Sequence, residues 1–351
     1  MKHIITKNHA KPQNHKSSTK TDWRVRNIEK GASLVCTGHD KVILQMPRGN
    51  LEGIYSRIFL LKTVHQLVEQ GLYRPAFETL RKHKISLSLL VDLNPEGFAE
   101  FVKSGRVLSE LKSSQLNLLV VEFANQYTKE LGLLFEPEDL KKKQEESERV
   151  WGQSKVNRLC ALLLEQLQTK GFDYVKNEMV VFSKTEPPSL VQGLRRAKQL
   201  KEKEEKNQES VLDHLQSQRA QAPHLSRKQY NEEGQLTGSG DNGLNSKRLQ
   251  NYKDVLKYFC WLVDAEELFR ESLLIFDLEL AVMVAEFTQK DPKDYLPYIE
   301  ALKRMDDPLR RKVRICRDLN QDARALEQIR ESFAKKKEEI SEVYRDLVLE
   351  I

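Results

Sequence analysis

The stretch Gln45–Glu52 reads QMPRGNLE and separates two kinds of hydrophobic pattern. Before it, Val42–Leu44 is a short β-branched apolar run, whereas the apolar residues after it recur at the three- and four-residue spacing of helices. Pro47 cannot donate a hydrogen bond to a sheet, and it disfavours helix at the residue before it. Gly49 and Asn50 are typical of a turn and of a helix cap. We therefore predict a domain boundary here, with a strand before it and a helix after it.

The residues after this junction predict a helical array. One apolar stripe stops at Gly71, and Pro75 suits the first turn of the next helix. Two such helices form an antiparallel hairpin, the unit of an α-solenoid. We expect an all-α fold, an irregular solenoid of helix hairpins, with strands confined to residues 23–46. The stripe consists of Leu51, Ile54, Ile58, Leu61, Val64, Leu67 and Val68.

Changes in composition divide the chain into five predicted regions. Residues 1–30 hold eight Lys or Arg against two Asp or Glu, which accounts for the whole net charge of +6. Arg24–Ile28 and Val42–Met46 read as short strands. Residues 217–249 are poor in apolar residues and rich in Gly, Ser and Asn, as flexible linkers are. The regions are a disordered basic tail (1–22), a β-strand remnant (23–46), a first solenoid part (47–216), a flexible linker (217–249) and a second solenoid part (250–351).

The overall composition is that of a helical protein outside the membrane. Hydrophobic residues make up 39%, charged residues 31% and aromatic residues 7% of the 351 positions. No apolar stretch reaches the roughly 18 residues of a membrane span, and the polar start lacks the apolar core of a secretory signal. The cysteines are scattered without the short spacings of disulfide or zinc frameworks, so we expect reduced thiols in a cytoplasmic or nuclear protein. They are Cys36, Cys160, Cys260 and Cys316.

The sequence contains no recognisable catalytic, cofactor or metal motif. It lacks a phosphate-binding loop, a dinucleotide fingerprint and the two-histidine zinc motif of metalloproteases. Asp264, Glu266 and Glu267 fit the first turn of a helix, where carboxylates complement the positive end, better than they fit acid–base catalysis. Asp291 and Pro292 predict a helix N-cap followed by a first-position proline. Because proline interrupts a helix interior, we place the main start of that helix beside Pro297.

A basic cluster between residues 303 and 317 leaves two readings open. Seven Lys or Arg against two Asp give it a net charge of +5 within fifteen residues. Such a cluster can contact nucleic-acid phosphates, or it can be a solvated helix face. Arg311, Arg314 and Asp318 could share one face and pair with each other. The candidate RNA-binding residues are Arg310, Arg311, Lys312 and Arg314.

Two separated blocks resemble, in the correct order, the largest-subunit family of Elongator. The first contains WRVRNIEKGA (Trp23–Ala32), KVILQMPRGNLE (Lys41–Glu52) and AFETLRKHKISLSLL (Ala76–Leu90). The second contains WLVDAEELFRESL (Trp261–Leu273) and FDLELAVMVAEFTQKDPKDYLPYIEAL (Phe276–Leu302). The residues of these blocks that carry the match at turns and caps are Pro47, Arg48, Gly49, Asn50, Asp291 and Pro292.

The resemblance implies a non-catalytic scaffold role. In that family, a second β-propeller ends and a helical solenoid begins at the QMPRGNLE position. Residues 23–46 would therefore be the remnant of a truncated propeller, and the chain a fragment or short form. It would support wobble-uridine modification of tRNA through contacts with a catalytic subunit and a propeller subunit, with tRNA contact indirect or weak. The alternative is a stand-alone RNA-binding helical protein that uses the basic tail and the 303–317 cluster.

Overall fold

A computed structural model describes residues 27–38, 41–221 and 251–336 of the chain. The predicted disordered tail (1–22) lies outside the described residues, as do residues 222–249 of the predicted linker. The chain divides into two units, Met1–Thr63 and Val64–Ile351. The first contains a small sheet, and the second contains nearly all of the helices.

The sheet has three antiparallel strands in the order β1-β2-β3. They are β1 (Ser33–Thr37), β2 (Val42–Gln45) and β3 (Leu51–Ile54). Val42 pairs with Thr37 on one side and with Ile54 on the other, and a bulge interrupts β1 between Leu34 and Cys36. Leu34, Val35 and Leu51 each expose half of their surface or more. A sheet of this size cannot cover its apolar side chains by itself.

The prediction of a strand-to-helix junction at QMPRGNLE is wrong, because the stretch closes a β-hairpin. The Met46 N–H donates to the Asn50 carbonyl at 2.8 Å, and the Gly49 N–H donates to the Met46 carbonyl at 2.8 Å. Gly49 has φ +87°, a conformation that glycine adopts without strain. Leu51–Ile54 therefore forms β3 rather than the first turn of a helix. Asn50 caps no helix, and its amide instead contacts the Glu52 carboxylate at 3.3 Å.

Two other predicted boundaries differ from the structure. Asn27 and Ile28, the described part of the predicted 24–28 strand, have no strand pairing, and the first described strand is β1. One helix, Leu190–Gln221, continues past residue 217, where we predicted that the linker begins. A charged segment of good helix formers sustains that helix beyond its apolar part.

The described ranges contain seventeen helices. They are α1 (Arg57–Glu69), α2 (Tyr73–Lys82), α3 (Leu89–Leu93), α4 (Pro95–Lys103), α5 (Arg106–Glu110), α6 (Ser113–Val121), α7 (Leu131–Leu134), α8 (Pro137–Trp151), α9 (Lys155–Thr169), α10 (Val175–Lys184), α11 (Leu190–Gln221), α12 (Tyr252–Leu262), α13 (Ala265–Leu273), α14 (Leu278–Phe287), α15 (Pro292–Lys303), α16 (Pro308–Asp318) and α17 (Asp322–Lys336). The prediction of an all-α fold after the sheet is confirmed. None of the described helices is long and apolar enough to cross a membrane.

Aspartate caps set the start of each helix from α13 to α16. Asp264, Asp277, Asp291 and Asp307 each accept a hydrogen bond from a backbone N–H in the first turn. Proline follows at the first helical position of α15 and α16, where no N–H is needed. Pro297 lies inside α15, so the prediction of a helix start beside it is wrong. Helix α15 begins at Pro292, directly after the Asp291 cap. It tolerates the backbone hydrogen bond that Pro297 cannot donate.

Helices α9, α10, α11 and α12 run up and down as successive antiparallel neighbours. Asn157 at the start of α9 donates to the Glu186 carbonyl after α10, and Arg196 in α11 contacts Glu178 in α10. Gly193 in α11 lies against Phe259, where an added Cβ would be 2.5 Å from the ring. These helices and α13–α15 share one apolar core. This repeated pairing is the α-solenoid arrangement that the periodicity predicts.

A buried ion pair joins helices that are far apart in sequence. The Lys155 ammonium donates to the Asp92 carboxylate at 2.8 Å, and the two side chains are 6% and 0% exposed. Asp92 also accepts the Thr128 N–H at 2.9 Å, and Lys155 also donates to the Gln126 carbonyl at 3.3 Å. Each charge thus has a second partner, which such a pair needs to offset desolvation. The cluster fixes α3, α9 and the segment before α7 together.

A second buried ion pair joins α10 to α11 and to the segment that follows α9. Glu178 is fully buried, and Arg196 donates to its carboxylate at 2.7 and 3.0 Å. The same guanidinium donates to the Gly171 carbonyl and lies 4.3 Å from the Phe172 ring centre. Burial raises the pKa of Glu178, and the hydrogen bond and charge of Arg196 reverse this only in part.

Replacing Lys155 by Ala should lower the free energy of unfolding by about 3–5 kcal/mol, because it leaves the Asp92 carboxylate buried without its cation. Chemical denaturation measures this change. The matched control is Lys142→Ala, which removes an exposed partner of Asp139 and should have no measurable effect. Equal stability of the two variants would contradict the role of the buried pair.

Replacing Arg196 by Met should destabilise the protein more at pH 8 than at pH 5. Without the guanidinium, the pKa of buried Glu178 rises further above its unfolded value, so stability decreases as pH rises above that value. Urea denaturation at both pH values measures the difference. Arg304→Met, at an exposed pair with Glu300, is the control. A Glu178→Gln/Arg196→Met double variant should be destabilised equally at both pH values. If it still loses more stability at pH 8, a group other than Glu178 causes the pH dependence.

Candidate protein-interaction site

Helices α6, α10 and α12 lie side by side and point the same way. Asn177 at the start of α10 contacts Ser113 at the start and Asn117 in the middle of α6, while Asn125 after α6 contacts Glu186 after α10. Helices α10 and α12 are both antiparallel to α11, since Glu178 contacts Arg196 and Glu204 accepts the Tyr252 N–H. The carboxyl-terminal turns of α6 and α12 therefore lie at the same end of the three-helix layer.

A chain of side-chain hydrogen bonds fixes this layer. Asn177 is 1% exposed, and its amide donates to the Ser113 carbonyl at 2.9 Å and to Asn117 Oδ1 at 2.6 Å. The Ser113 hydroxyl donates back to Asn177 Oδ1 at 2.8 Å. Asn117 in turn donates to the Tyr258 hydroxyl of α12 at 3.4 Å. The three helices are thus aligned by polar contacts in addition to their apolar packing.

Three large apolar side chains on α6 and α12 are exposed. Val121 lies one turn beyond Asn117, and Trp261 lies one turn beyond Tyr258, so both are at the same level of the layer. Trp261 is 77% exposed, Val121 56% and Leu118 47%. We call these three residues the apolar patch. An exposed tryptophan among other exposed apolar residues is typical of a surface that binds another protein.

A shallow depression of about 390 Å³ lies between α6 and the turn that follows α2. Its lining is apolar at the base and charged at the rim, and Leu118 forms one wall. The depression is therefore continuous with the apolar patch. We call it the basic depression, and its lining residues are Arg81, Lys84, Ile85, Ser86, Leu87, Leu118 and Glu122.

The described residues contain no candidate metal cluster, and burial suppresses the reactivity of two cysteines. No group of three or more His, Cys, Asp or Glu in the described ranges could hold a metal ion. Burial raises the pKa of the Cys160 and Cys260 thiols to about 12, so both are protonated at neutral pH and unreactive. All four cysteines are free thiols.

The residues that carry the sequence resemblance form a hairpin turn and the start of a helix. Pro47, Arg48, Gly49 and Asn50 form the hairpin turn between β2 and β3. Asp291 caps α15 by accepting the Lys293 N–H at 2.9 Å, and Pro292 is the first residue of that helix. Neither group lies in the apolar patch or in the lining of the basic depression.

Most of the candidate RNA-binding side chains in α16 have partners within the fold. The Arg311 guanidinium donates to the Met305 carbonyl at 2.7 Å, and Arg314 donates to Asp318 at 2.9 Å. Lys312 donates to Gln328 at 3.2 Å and lies 5.1 Å from the Phe276 ring centre. Arg310 is half exposed and 3.9 Å from Asp307. The expected pairing of Arg314 with Asp318 is confirmed, and RNA binding by this helix stays a prediction.

Comparison with known proteins agrees with the fold. The family model described as ELP1 alpha-solenoid matches residues 57–217 and 238–302, well over half of the chain. The chain belongs to the Elongator complex protein 1 family. The resemblance of the two sequence blocks is confirmed.

Relatives in this family come from distant eukaryotes. Elongator complex protein 1 of Schizosaccharomyces pombe is 27% identical over 88% of this chain and 21% of its own length. The Saccharomyces cerevisiae protein is 28% identical over 88% of this chain and 21% of its own length. The Rattus norvegicus protein is 28% identical over 80% of this chain and 18% of its own length. The chain thus spans about a fifth of the length of these relatives.

Trp261 and Asn177, which form the candidate site, were not predicted from the sequence. Trp261 lies off the stripe formed by Leu256, Phe259 and Val263, and that displacement could have identified it as exposed. Nothing in the sequence singles out Asn177, because its partners in α6 are 60 and 64 residues away. Such long-range polar contacts leave no local pattern.

Replacing Arg311 by Ala should lower the free energy of unfolding by about 1.5–3 kcal/mol, because its charged side chain caps the Met305 carbonyl after α15. Arg310→Ala should leave stability unchanged, since Arg310 has only a long, exposed ion pair. Thermal and urea denaturation of both variants measure this. Comparable losses from the two substitutions would contradict the structural role of Arg311.

Proposed function

We propose that the chain is a non-catalytic scaffold of the Elongator complex. It contributes protein–protein contacts to the assembly that modifies the wobble uridine of tRNA. Membership of the Elongator complex protein 1 family supports this proposal, and so does the solenoid arrangement of its helices. Asp92–Lys155 and Glu178–Arg196 are buried pairs that join helices within the fold, which suits a rigid scaffold.

The exposure of Trp261 is the observation that carries the proposal. A tryptophan that is 77% exposed leaves a large apolar area in contact with water. Val255, Leu256 and Phe259 on the opposite face of α12 are fully buried, so Trp261 lies on the side of the helix that faces solvent. Tryptophan is enriched among the few residues that dominate binding energy at interfaces. The apolar patch is therefore the surface that we assign to partner binding.

The partner that we propose is the catalytic subunit of Elongator, with a propeller subunit as a further contact. In this scheme the chemistry belongs to the catalytic subunit, and the chain positions it. Contact with tRNA is then indirect or weak, because most of the α16 cations are engaged in contacts within the chain. The layer of α6, α10 and α12 provides a rigid base for such an interface.

Capture of the catalytic subunit tests the proposal. The full chain and that subunit are co-expressed, and binding is measured by pull-down and calorimetry. Trp261→Ala should weaken binding by roughly thirtyfold or more, since truncating an interface hot spot costs about 2 kcal/mol or more. The melting temperature should not change, because Trp261 is exposed. Lys257→Ala, an exposed change one turn earlier in α12, is the control and should bind normally.

Two outcomes would contradict the proposal in different ways. Normal binding by Trp261→Ala would show that the scaffold binds through another surface. A folded chain that ignores the catalytic subunit but binds tRNA tightly at about 150 mM salt would favour the RNA-binding alternative. A salt titration of that tRNA affinity then measures how many phosphates the chain contacts.

A further inference from the structure

The basic depression presents two cations beside an exposed apolar side chain. Arg81 is in the last turn of α2, and Lys84 follows in the turn toward α3, where its backbone has φ +51°. In the described part of the chain, neither side chain has a carboxylate partner or another polar contact. Leu118 on α6 forms the facing wall and is 47% exposed. The opening thus combines positive charge with an uncovered leucine.

The one carboxylate in the lining is already engaged. Glu122 Oε2 accepts the Leu87 N–H at 2.6 Å, and the Glu122 carbonyl accepts the Ser88 hydroxyl at 2.6 Å. These bonds hold the turn after α2 against the end of α6. Ile85 and Leu87 below are only 3% and 2% exposed. The depression therefore has a fixed base, and its charge toward solvent is positive.

We propose that the basic depression docks a short acidic segment of a partner protein that carries a large apolar side chain. Carboxylates of the segment pair with Arg81 and Lys84, and the apolar side chain covers Leu118. Charge complementarity selects the acidic segment, and Leu118 selects a peptide over a polyphosphate, which has no apolar group to cover it. Leu118 belongs to both surfaces, but the inference is tested without the partner proposed above, because peptide binding is measured with the chain alone.

The test uses a fluorescein-labelled synthetic peptide of about twelve residues, in which glutamates flank two leucines. Its anisotropy is measured against the full chain at low and at roughly physiological salt. Two control peptides replace the leucines by serine or the glutamates by lysine. We expect saturable binding of the first peptide, at least tenfold weaker binding of the serine peptide and none of the lysine peptide. An absence of binding at millimolar concentration of the chain would overturn the proposal.

Variants assign the binding to the depression. Arg81→Glu/Lys84→Glu should weaken peptide binding at least tenfold, and Leu118→Ser should weaken it roughly threefold or more. The control Lys103→Glu adds the same type of charge change on α4 and should bind normally. All of these residues are exposed, so circular dichroism and melting temperature should match the parent chain. Unchanged binding by the double variant would overturn the proposal.

Two further outcomes would also overturn it. Single-stranded RNA that competes for the depression as well as the peptide does would assign it to phosphate binding. A dimer in sedimentation that becomes a monomer on Arg81→Glu/Lys84→Glu would identify a second copy of the chain as the occupant. A monomer that binds the peptide, with no competition by RNA, supports the proposal.

Discussion

The buried amide of Asn177 determines how the candidate site is built. It donates hydrogen bonds to Ser113 and Asn117 in α6, and Asn117 in turn donates to the Tyr258 hydroxyl in α12. An amide that is 1% exposed must find partners for its donors and acceptor, because an unsatisfied polar group in a core costs about 1–3 kcal/mol. The observed alignment of the three helices provides these partners. That alignment brings the outer turns of α6 and α12 to the same level, and the apolar patch results from it.

Ionic contacts perform the same task elsewhere in the helical unit. Asp92–Lys155 and Glu178–Arg196 join helices across 63 and 18 residues of sequence. Apolar contacts between neighbouring helices are non-directional, whereas a buried polar pair requires specific distances and angles. In a solenoid, where each hairpin contacts mainly its neighbours, such pairs set the stacking angle and make the outer face a fixed surface. A fixed surface lowers the entropy lost when a partner binds.

Local signals in the sequence predict the helices well and the first boundary badly. The cap at Asp291 was predicted because an aspartate cap acts within its own turn, whereas Asp264 was placed in the first turn of its helix and is in fact the cap. Leu51 and Ile54 were assigned to the first helix because their three-residue spacing matches the apolar stripe that follows them. They belong instead to β3. The partners of Asp92, Asn177 and Glu178 could not be predicted, since these contacts form only when distant helices meet. The exposure of Trp261 was readable from its position off the apolar stripe, but the apolar patch also needs Val121 from another helix.

Hydrogen–deuterium exchange of the chain, alone and with the catalytic subunit of Elongator, tests the scaffold interface most directly. The bound partner should slow exchange in the last turns of α6 and α12, around Val121 and Trp261. Exchange in α16 should stay unchanged, because its arginines serve the fold rather than the interface. Slower exchange confined to α16, with α6 and α12 unaffected by the bound subunit, would contradict the account.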